Sequence, residues 1–290
     1  MQKPFFSILI PTKDRPHSLR QCLHSIVSAA KNLEADLGPK GITYEIIVCD
    51  DSTSSDTHKL LALEFPFVRY LQGPHQGPAA NRNKGAAISQ GDWLIFTDDD
   101  CIADPQWLLQ FYKNAHKSLA LEGCIQPKGS FSDLWKCPIN ERGGNFWSAN
   151  IAIKKDLFMQ VGGFDSFFPY PAYEDTDLYL RLKKETNIAF IKDAIVFHPI
   201  VCFSLVEAIK KEFRVLRSRA YLLAKHHPHS KLKGWLRVFF NEYHIQGFQL
   251  LHSLHQRLWK SALLNSLIII FLLPCLILWT LKYHKKCPKN

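Results

Sequence analysis

The sequence predicts an α/β fold, with a mostly parallel central sheet flanked by helices, followed by a C-terminal helical, membrane-associated tail. Three observations carry this expectation. Short apolar runs alternate with helix-patterned stretches over roughly the first hundred residues. The charge balance changes from Pro199 onward, and Ala262 to Leu281 forms twenty residues without a formal charge. At 290 residues the chain can bury a substantial core, as one large domain or two small ones. With 47% hydrophobic and 21% charged residues it belongs with globular rather than disordered chains.

The elements follow in order. Phe5–Ile10 is a strand, and Pro16–Lys31 a helix with Leu19, Leu23, Ile26, Val27 and Ala30 at helical spacing. Tyr44–Cys49 is a second buried strand and Ser55–Phe65 a second helix. Val68–Leu71 and Trp93–Thr97 repeat the strand signal, and Pro78–Gln90 lies between them as a helix closed by Gly91. In parallel sheets ligands bind beyond the carboxyl ends of the strands. Here those ends carry Thr12 and Arg15, then Asp50 and Asp51, then Asp98 to Asp100. Between Gly123 and Gly144 the pattern weakens into loops with one or two strands. Ala194–Phe197 is strand-like and runs into His198.

From Ser204 a strong helix begins, with Ser204 and Glu207 as a capping box and Leu205, Ile209, Phe213, Leu216, Ala220 and Leu223 as its apolar stripe. Up to His198 there are 21 Lys+Arg against 23 Asp+Glu; from Pro199 there are 15 against 3. A near-neutral body thus precedes a basic, aromatic-rich tail that fits an anionic membrane better than nucleic acid, because the basic excess adjoins the uncharged stretch. That stretch is long enough to span a bilayer as a helix, and Pro274 leaves room for a kinked or re-entrant path. Basic residues on both sides (Arg257 and Lys260, then Lys282, Lys285 and Lys286) give no orientation. His226-His227-Pro228-His229 reads as a solvated surface tract rather than a metal site. No secretory leader is expected before the first strand. The eight cysteines include no Cys-x-x-Cys pair, so a reducing, cytoplasmic setting is expected for the body.

The chemistry concentrates in Asp98-Asp99-Asp100, three carboxylates delivered by an apolar strand. Their repulsion calls for a cation, and carboxylate oxygens suit Mg²⁺ or Mn²⁺, which bridge to phosphate. On an extended chain Asp98 and Asp100 face the same way.

The surrounding segments resemble family-2 glycosyltransferases, whose nucleotide-binding fold is called GT-A. Ile8-Leu9-Ile10-Pro11-Thr12-Lys13-Asp14-Arg15 is similar to the family's first strand and turn. Cys49-Asp50-Asp51-Ser52-Thr53 is similar to its Val-Asp-Asp-Gly-Ser turn, with serine in place of glycine. Gly77-Pro78-Ala79-Ala80-Asn81-Arg82-Asn83-Lys84-Gly85 resembles its Gly-x-x-x-Ala-Arg-Asn-x-Gly helix, with Asn81 where alanine is common. Asp98 and Asp100 match its Asp-x-Asp. Ser148 to Ile153, Val161-Gly162-Gly163-Phe164-Asp165, and Glu174-Asp175-Thr176-Asp177-Leu178 with Arg181 resemble its acceptor side. The resemblance covers about residues 5 to 224, and the ordered set is specific although each piece is weak.

It implies an inverting transfer of a sugar from a nucleotide diphosphate donor, with UDP by family habit, to an acceptor hydroxyl. A membrane tail favours a lipid-linked or cell-envelope glycan as acceptor. By resemblance Pro11, Thr12, Arg15, Asp50, Asp51, Arg82 and Asp99 lie on the donor side, with Asp50 also able simply to brace its turn and Arg82 to form a surface salt bridge. Asp98, Asp100 and His198 would hold the metal; imidazole tilts the choice to Mn²⁺ over Mg²⁺, and the plainer reading of His198 is a core histidine. Asp175 is the expected base, its pKa raised by Glu174 and Asp177, although these acids also suit a helix N-terminus. Trp147, Asn150 and Glu174 fall on the acceptor side, Trp147 as a sugar platform or as core.

Residues 1–203 are expected as the GT-A domain, its nucleotide-binding half at 1–100 and its acceptor half at 101–203. Residues 204–260 form a basic amphipathic region and 261–290 the hydrophobic segment and basic tail. The competing readings are a nucleotidyltransferase, disfavoured because Pro11 to Arg15 lacks a glycine-rich phosphate loop, and an inactive nucleotide-binding membrane scaffold.

Overall fold

The computed structural model describes residues 6–38, 42–131, 133–226 and 232–284. The chain divides into two units. One comprises Met1–Gly129, Cys137–Ser166 and Glu174–Pro199, and the other Ser130–Lys136, Phe167–Tyr173 and Ile200–Asn290. Two short inserts, 130–136 and 167–173, thus group with the C-terminal helices.

The first unit is built on one sheet. Its elements are β1 (Phe6–Thr12), α1 (Pro16–Leu37), β2 (Tyr44–Asp50), α2 (Asp56–Glu64), β3 (Arg69–Gln72), α3 (Pro78–Ile88) and β4 (Trp93–Thr97). Then come β5 (Ile102–Ala103), α4 (Trp107–Asn114) and β6 (Ala120–Lys128). The second unit contributes β7 (Trp135–Lys136), after which β8 (Asn150–Lys154), α5 (Lys155–Gln160), α6 (Glu174–Leu182) and β9 (Ile188–Pro199) complete the first. The strand order is β3-β2-β1-β4-β8-β6-β9-β5. In it β3, β2, β1, β4, β6 and β9 run one way, and β8 and β5 the other.

β1 is buried along its whole length because β2 and β4 pair with it on either side and helices cover both faces. The two-residue period of a strand divides its side chains. Phe6, Ile8 and Ile10 join Trp93 and Ile95 in one core, with Leu19, Leu23 and Ile26 of α1. Leu9 joins Leu94 and Phe96 in the other, with Phe158 and Phe164. The register aligns Thr12 with Asp50, so the polar strand ends share one edge. Asp51 extends it by donating its N–H to the Thr12 carbonyl at 2.9 Å.

The weakly patterned stretch from Gly123 is in part regular: β6 continues to Lys128. Gly123 and Pro127 hide it in the sequence. Glycine is required at 123, since a Cβ there would lie 2.3 Å from Asn150 Nδ2, and the ladder to β9 shifts register at the same point.

In the second unit β7 pairs antiparallel with β10 (Val201–Cys202). There follow α7 (Leu205–His226), α8 (Leu232–His255), α9 (Trp259–Leu267), a π-helical turn (Ile268–Leu272) and α10 (Leu273–His284). The capping box forms as expected: the Ser204 N–H and hydroxyl donate to Glu207 Oε2 at 2.9 and 2.7 Å. Ala208, Leu216 and Ala220 of α7 are buried, whereas Phe213 of the expected stripe is half exposed.

The uncharged stretch departs from an all-round apolar span. Leu264, Ile268, Leu272 and Leu276, four residues apart, pack into this unit's core, while Leu263, Ile270, Phe271 and Leu278 are exposed. Among the described residues no single helix is long and apolar enough to cross a membrane. Trp259–Leu272 and Pro274–His284 meet the length and composition test only together, bent by 48°. The π turn and Pro274 explain the bend, since both interrupt the i→i−4 ladder. Of the histidine tract, His227, Pro228 and His229 lie outside the described residues, as do Phe5, Lys285 and Lys286.

Candidate active site

The three strand-end aspartates turn apart. β4 ends at Thr97 and the chain then turns, with the Cys101 N–H on the Asp98 carbonyl at 3.1 Å, so the alternation of an extended chain no longer sets direction. Asp98 meets Arg82, with Nη2 to Oδ1 at 2.6 Å. Asp99, fully buried, accepts the Thr12 hydroxyl at 2.6 Å and pairs with Arg15 Nη2 at 2.6 Å. Asp100 pairs with Arg15 Nη1 at 2.7 Å through one oxygen and faces His198 Nε2 at 3.4 Å with the other. Burial pushes the Asp99 pKa up to about 7 against the opposing pull of Arg15 and Thr12.

The expected metal set is therefore altered. Among the described residues the group with ligand atoms within 4.8 Å of one another is Asp100, Cys101 and His198; Asp98 lies outside it, directed to Arg82. Burial raises the Cys101 thiol well above its ordinary pKa and keeps it protonated, so a hard divalent cation is offered the Asp100 oxygen and the imidazole. These two fit such an ion. His198 Nδ1 lies 2.9 Å from the Pro199 carbonyl, which only accepts, leaving Nε2 as the lone pair. Asp100 Oδ1 is buried without a hydrogen-bond partner. Asp100 Oδ1 and His198 Nε2 lie 3.4 Å apart, where one cation could take both as ligands. Cys137, which sequence reasoning missed, supports this ring by donating its thiol to the His198 carbonyl at 3.5 Å.

The second acidic group opens α6. Glu174 is buried, and its pKa is pushed up to about 7 by burial and the neighbouring Asp175 charge, against Arg82. Asp175 is also raised, chiefly by burial, while the backbone N–H groups of Thr176 (2.7 Å) and Ser148 favour its charged form. Asp177 does not supply the expected repulsion: its carboxylate accepts two bonds from Arg181, at 2.7 and 3.0 Å. Arg82 bridges the two acidic groups, with Nη1 3.6 Å from Glu174 Oε1 and the Phe164 ring 5.4 Å beneath the guanidinium. It is buried, not a surface salt bridge, and its Nε and Nη1 lack hydrogen-bond partners, as does Glu174 Oε2.

The other expected residues also make contacts within the fold. Asp50 is buried and holds the Ser52 N–H at 2.8 Å. Asp51 accepts the N–H groups of His75 and Gly77 at 2.8 and 3.0 Å, shaping the loop before α3. Pro11 lies within β1, paired with Cys49. Asn150 is fully buried: it accepts the Trp107 indole N–H at 2.8 Å and donates to the Cys124 and Ala194 carbonyls at 2.7 and 2.8 Å, which leaves it no free group for an acceptor. Trp147 is half-buried against the core. Three further braces hold the surrounding loops, and of these Glu122 alone carried no signal in the sequence. Glu122 collects the N–H groups of Gly144 (2.7 Å), Asn145 (2.8 Å) and Phe146. Arg181 ties Val161 and Gly163 through their carbonyls, and Asn83 holds the N–H and carbonyl of Phe164.

A largely parallel sheet gathers aspartates, arginines and a histidine at its carboxyl edge, the place where such sheets bind their ligands. The profile described as glycosyl transferase family 2 matches residues 7–165, and the chain belongs to that family. It is 28% identical over 200 residues to an uncharacterized glycosyltransferase of Haemophilus influenzae, covering 62% of this chain and 63% of that protein. It is 30% identical over 118 residues to a glucosyl-dolichyl phosphate glucuronosyltransferase of Haloferax volcanii, covering 34% and 38%. It is 32% identical over 103 residues to the GalNAc(5)-diNAcBac-PP-undecaprenol beta-1,3-glucosyltransferase of Campylobacter jejuni, covering 33% and 30%. The chain thus spans less than two thirds of each of these relatives. The crystal structure of S. aureus TarS 1–349 superposes with a TM-score of 0.54 at 16% identity, over 98% of this chain and 88% of that one, and shares the GT-A-like α/β fold.

Proposed function

We propose that the chain transfers a sugar from a nucleotide diphosphate donor, a uridine nucleotide, to a hydroxyl of a lipid-linked or cell-envelope glycan, inverting the anomeric carbon. The observation that carries this reading is Arg82, which touches both Asp98 at the donor-side strand end and Glu174 of the raised acidic pair. The guanidinium, with buried N–H groups to spare, donates to diphosphate oxygens. Thr12, Arg15 and Asp51 stand at the first two strand ends and hold the nucleoside. A divalent cation, manganese by its tolerance of imidazole, bound by Asp100 and His198 supplies charge stabilisation for the leaving nucleoside diphosphate. Asp175, with its pKa raised towards the working range of a general base, removes the acceptor proton as the hydroxyl oxygen attacks. Attack opposite the leaving group inverts the centre.

The second unit attaches to the cytoplasmic face of a membrane. Exposed Phe248, Leu251, Trp259, Ile270 and Phe271, together with the 15 Lys+Arg against 3 Asp+Glu from Pro199 onward, support an interfacial seat on anionic lipid. The names of the Haloferax and Campylobacter relatives refer to dolichyl phosphate and PP-undecaprenol, which favours a lipid-linked acceptor.

The test is calorimetric titration of UDP-, GDP- and dTDP-sugars, with and without Mn²⁺, into the full-length protein and an Asp100→Ala/His198→Ala variant. One donor should bind the wild type only with metal, and the variant should lose it. If no nucleotide binds the folded protein under either condition, the reading fails and an inactive scaffold replaces it.

A further inference from the structure

The second unit carries a half-open cavity of about 710 Å³, within the roughly 300–1,000 Å³ typical of small-molecule sites. Its wall has two characters. Leu134, Phe203, Val215, Leu264 and Ile268 form an apolar side, and Lys136, Glu212, Arg219, Gln246 and His252 a polar one. Most other polar groups in the wall are committed. Asp133 caps α9, accepting the N–H groups of Lys260 and Ser261 at 2.8 and 3.1 Å and the Ser261 hydroxyl at 2.7 Å. Asn265 donates to Ser253 at 3.1 Å, which donates onward to the Gln249 carbonyl at 2.9 Å. The wall acids among the described residues are thus Asp133, held at the start of α9, and Glu212, which contacts Lys136; Arg219 and His252 are the other basic side chains there.

Gln246 is the anomaly. Its side chain is 8% exposed and its carbonyl oxygen has no hydrogen-bond partner. A buried orphan of this kind is destabilising, and a bound donor removes that cost. Lys136 also lies in the wall, paired with Glu212, and burial and the neighbouring Lys211 lower its pKa to about 8, so further negative charge there would favour its charged form.

We propose that this cavity binds a single-chain amphiphile with a phosphorylated head, the lipid end of the acceptor. The chain lies against the apolar side, the phosphate oxygens meet Lys136 and His252, and a hydroxyl or N–H of the head donates to Gln246. The assignment rests on the lipid-linked reading of the acceptor given above.

The probe is dodecyl phosphate, titrated below its micellar concentration into the full chain held in amphipol, with dodecanol and inorganic phosphate as separate arms. Dodecyl phosphate should bind saturably, one per chain, at least tenfold more tightly than either. Leu264→Trp, which fills the apolar side, should weaken it at least tenfold, and Lys136→Met should reduce its advantage over dodecanol. Circular dichroism checks each fold, and Gln246→Leu replaces Leu264→Trp if that variant does not fold. Unchanged binding in the folded variants, or equal binding of dodecanol, overturns the proposal; equal binding of inorganic phosphate makes the site one for free anions and overturns the lipid assignment. Metal-dependent nucleotide binding is followed on the same samples. If it persists while dodecyl phosphate fails, the cavity assignment alone falls; if only dodecyl phosphate binds, the donor reading falls and the cavity stands.

Discussion

Asp98-Asp99-Asp100 and Glu174-Asp175-Thr176-Asp177 are both dense runs of acids, yet the fold resolves their repulsion in different ways. At the strand end the carboxylates separate towards Arg82, Arg15 and His198, each taking a cationic or metal-ready partner. At the start of α6 only Asp177 takes an arginine of its own; Glu174 is buried and Asp175 half-buried, both with raised pKa values, and both feel Arg82. The first arrangement suits stable negative charge beside phosphate and metal. The second suits a group that accepts a proton. Adjacent carboxylates in a sequence thus say little about role until the positions of their counter-charges are known.

The sharpest test of this contrast removes one acid from each group. Asp100→Ala should lower kcat by about a thousandfold, the scale for losing a stabiliser of developing charge, and abolish metal-dependent donor binding by calorimetry. Asp175→Asn should lower kcat by about a hundredfold to ten-thousandfold while leaving donor affinity within twofold. Equal loss of donor binding in both variants would erase the distinction.

Arg82→Met strikes both groups at once. Removing one member of a buried ion pair leaves the other uncompensated, so urea unfolding should show a loss of about 3 kcal/mol. Arg82 also holds the Glu174 pKa down, and without it the pH at which activity is half maximal should move upward.

A smaller effect concerns stability against pH. Glu174 titrates at about 7 in the folded chain against an ordinary 4.5, so between those values the folded state binds the extra proton. Its contribution is full below 4.5 and declines as pH rises to about 7. Glu174→Gln should flatten thermal stability across that window, whereas a slope identical to wild type would assign the proton elsewhere. The smallest change is expected from Cys137→Ser, which leaves the His198 ring less firmly packed: a severalfold rise in the Mn²⁺ concentration needed for half-maximal activity, with kcat at saturating metal unchanged.

Much of the first unit was legible because its determinants are local. Apolar runs ending in polar residues define β1, β2 and β4 to within two residues, and Pro16 and Pro78 mark the first turns of α1 and α3. The capping box at Ser204 was equally plain. β6 was hidden because Gly123 is required by the distant Asn150, and the part Asn150 plays depends on Trp107, Cys124 and Ala194, none of them near it in sequence. The tail was legible in part. Its twenty uncharged residues and Pro274 allowed a kinked path, whereas the π turn and the cover of one face by α7 depend on packing.

By itself the sequence determined the alternation of strands and helices, the polar edge where the parallel strands end, the acidic runs and their family resemblance. Periodicity and strand-end chemistry are properties of neighbouring residues. Only the tertiary structure decided that Asp98 turns to Arg82, that Cys101 and not Asp98 stands beside Asp100 and His198, and that Arg82 joins the two acidic groups. Side-chain direction after a strand ends, and the burial that sets a carboxylate's proton affinity, depend on residues tens of positions away, and no local pattern encodes them.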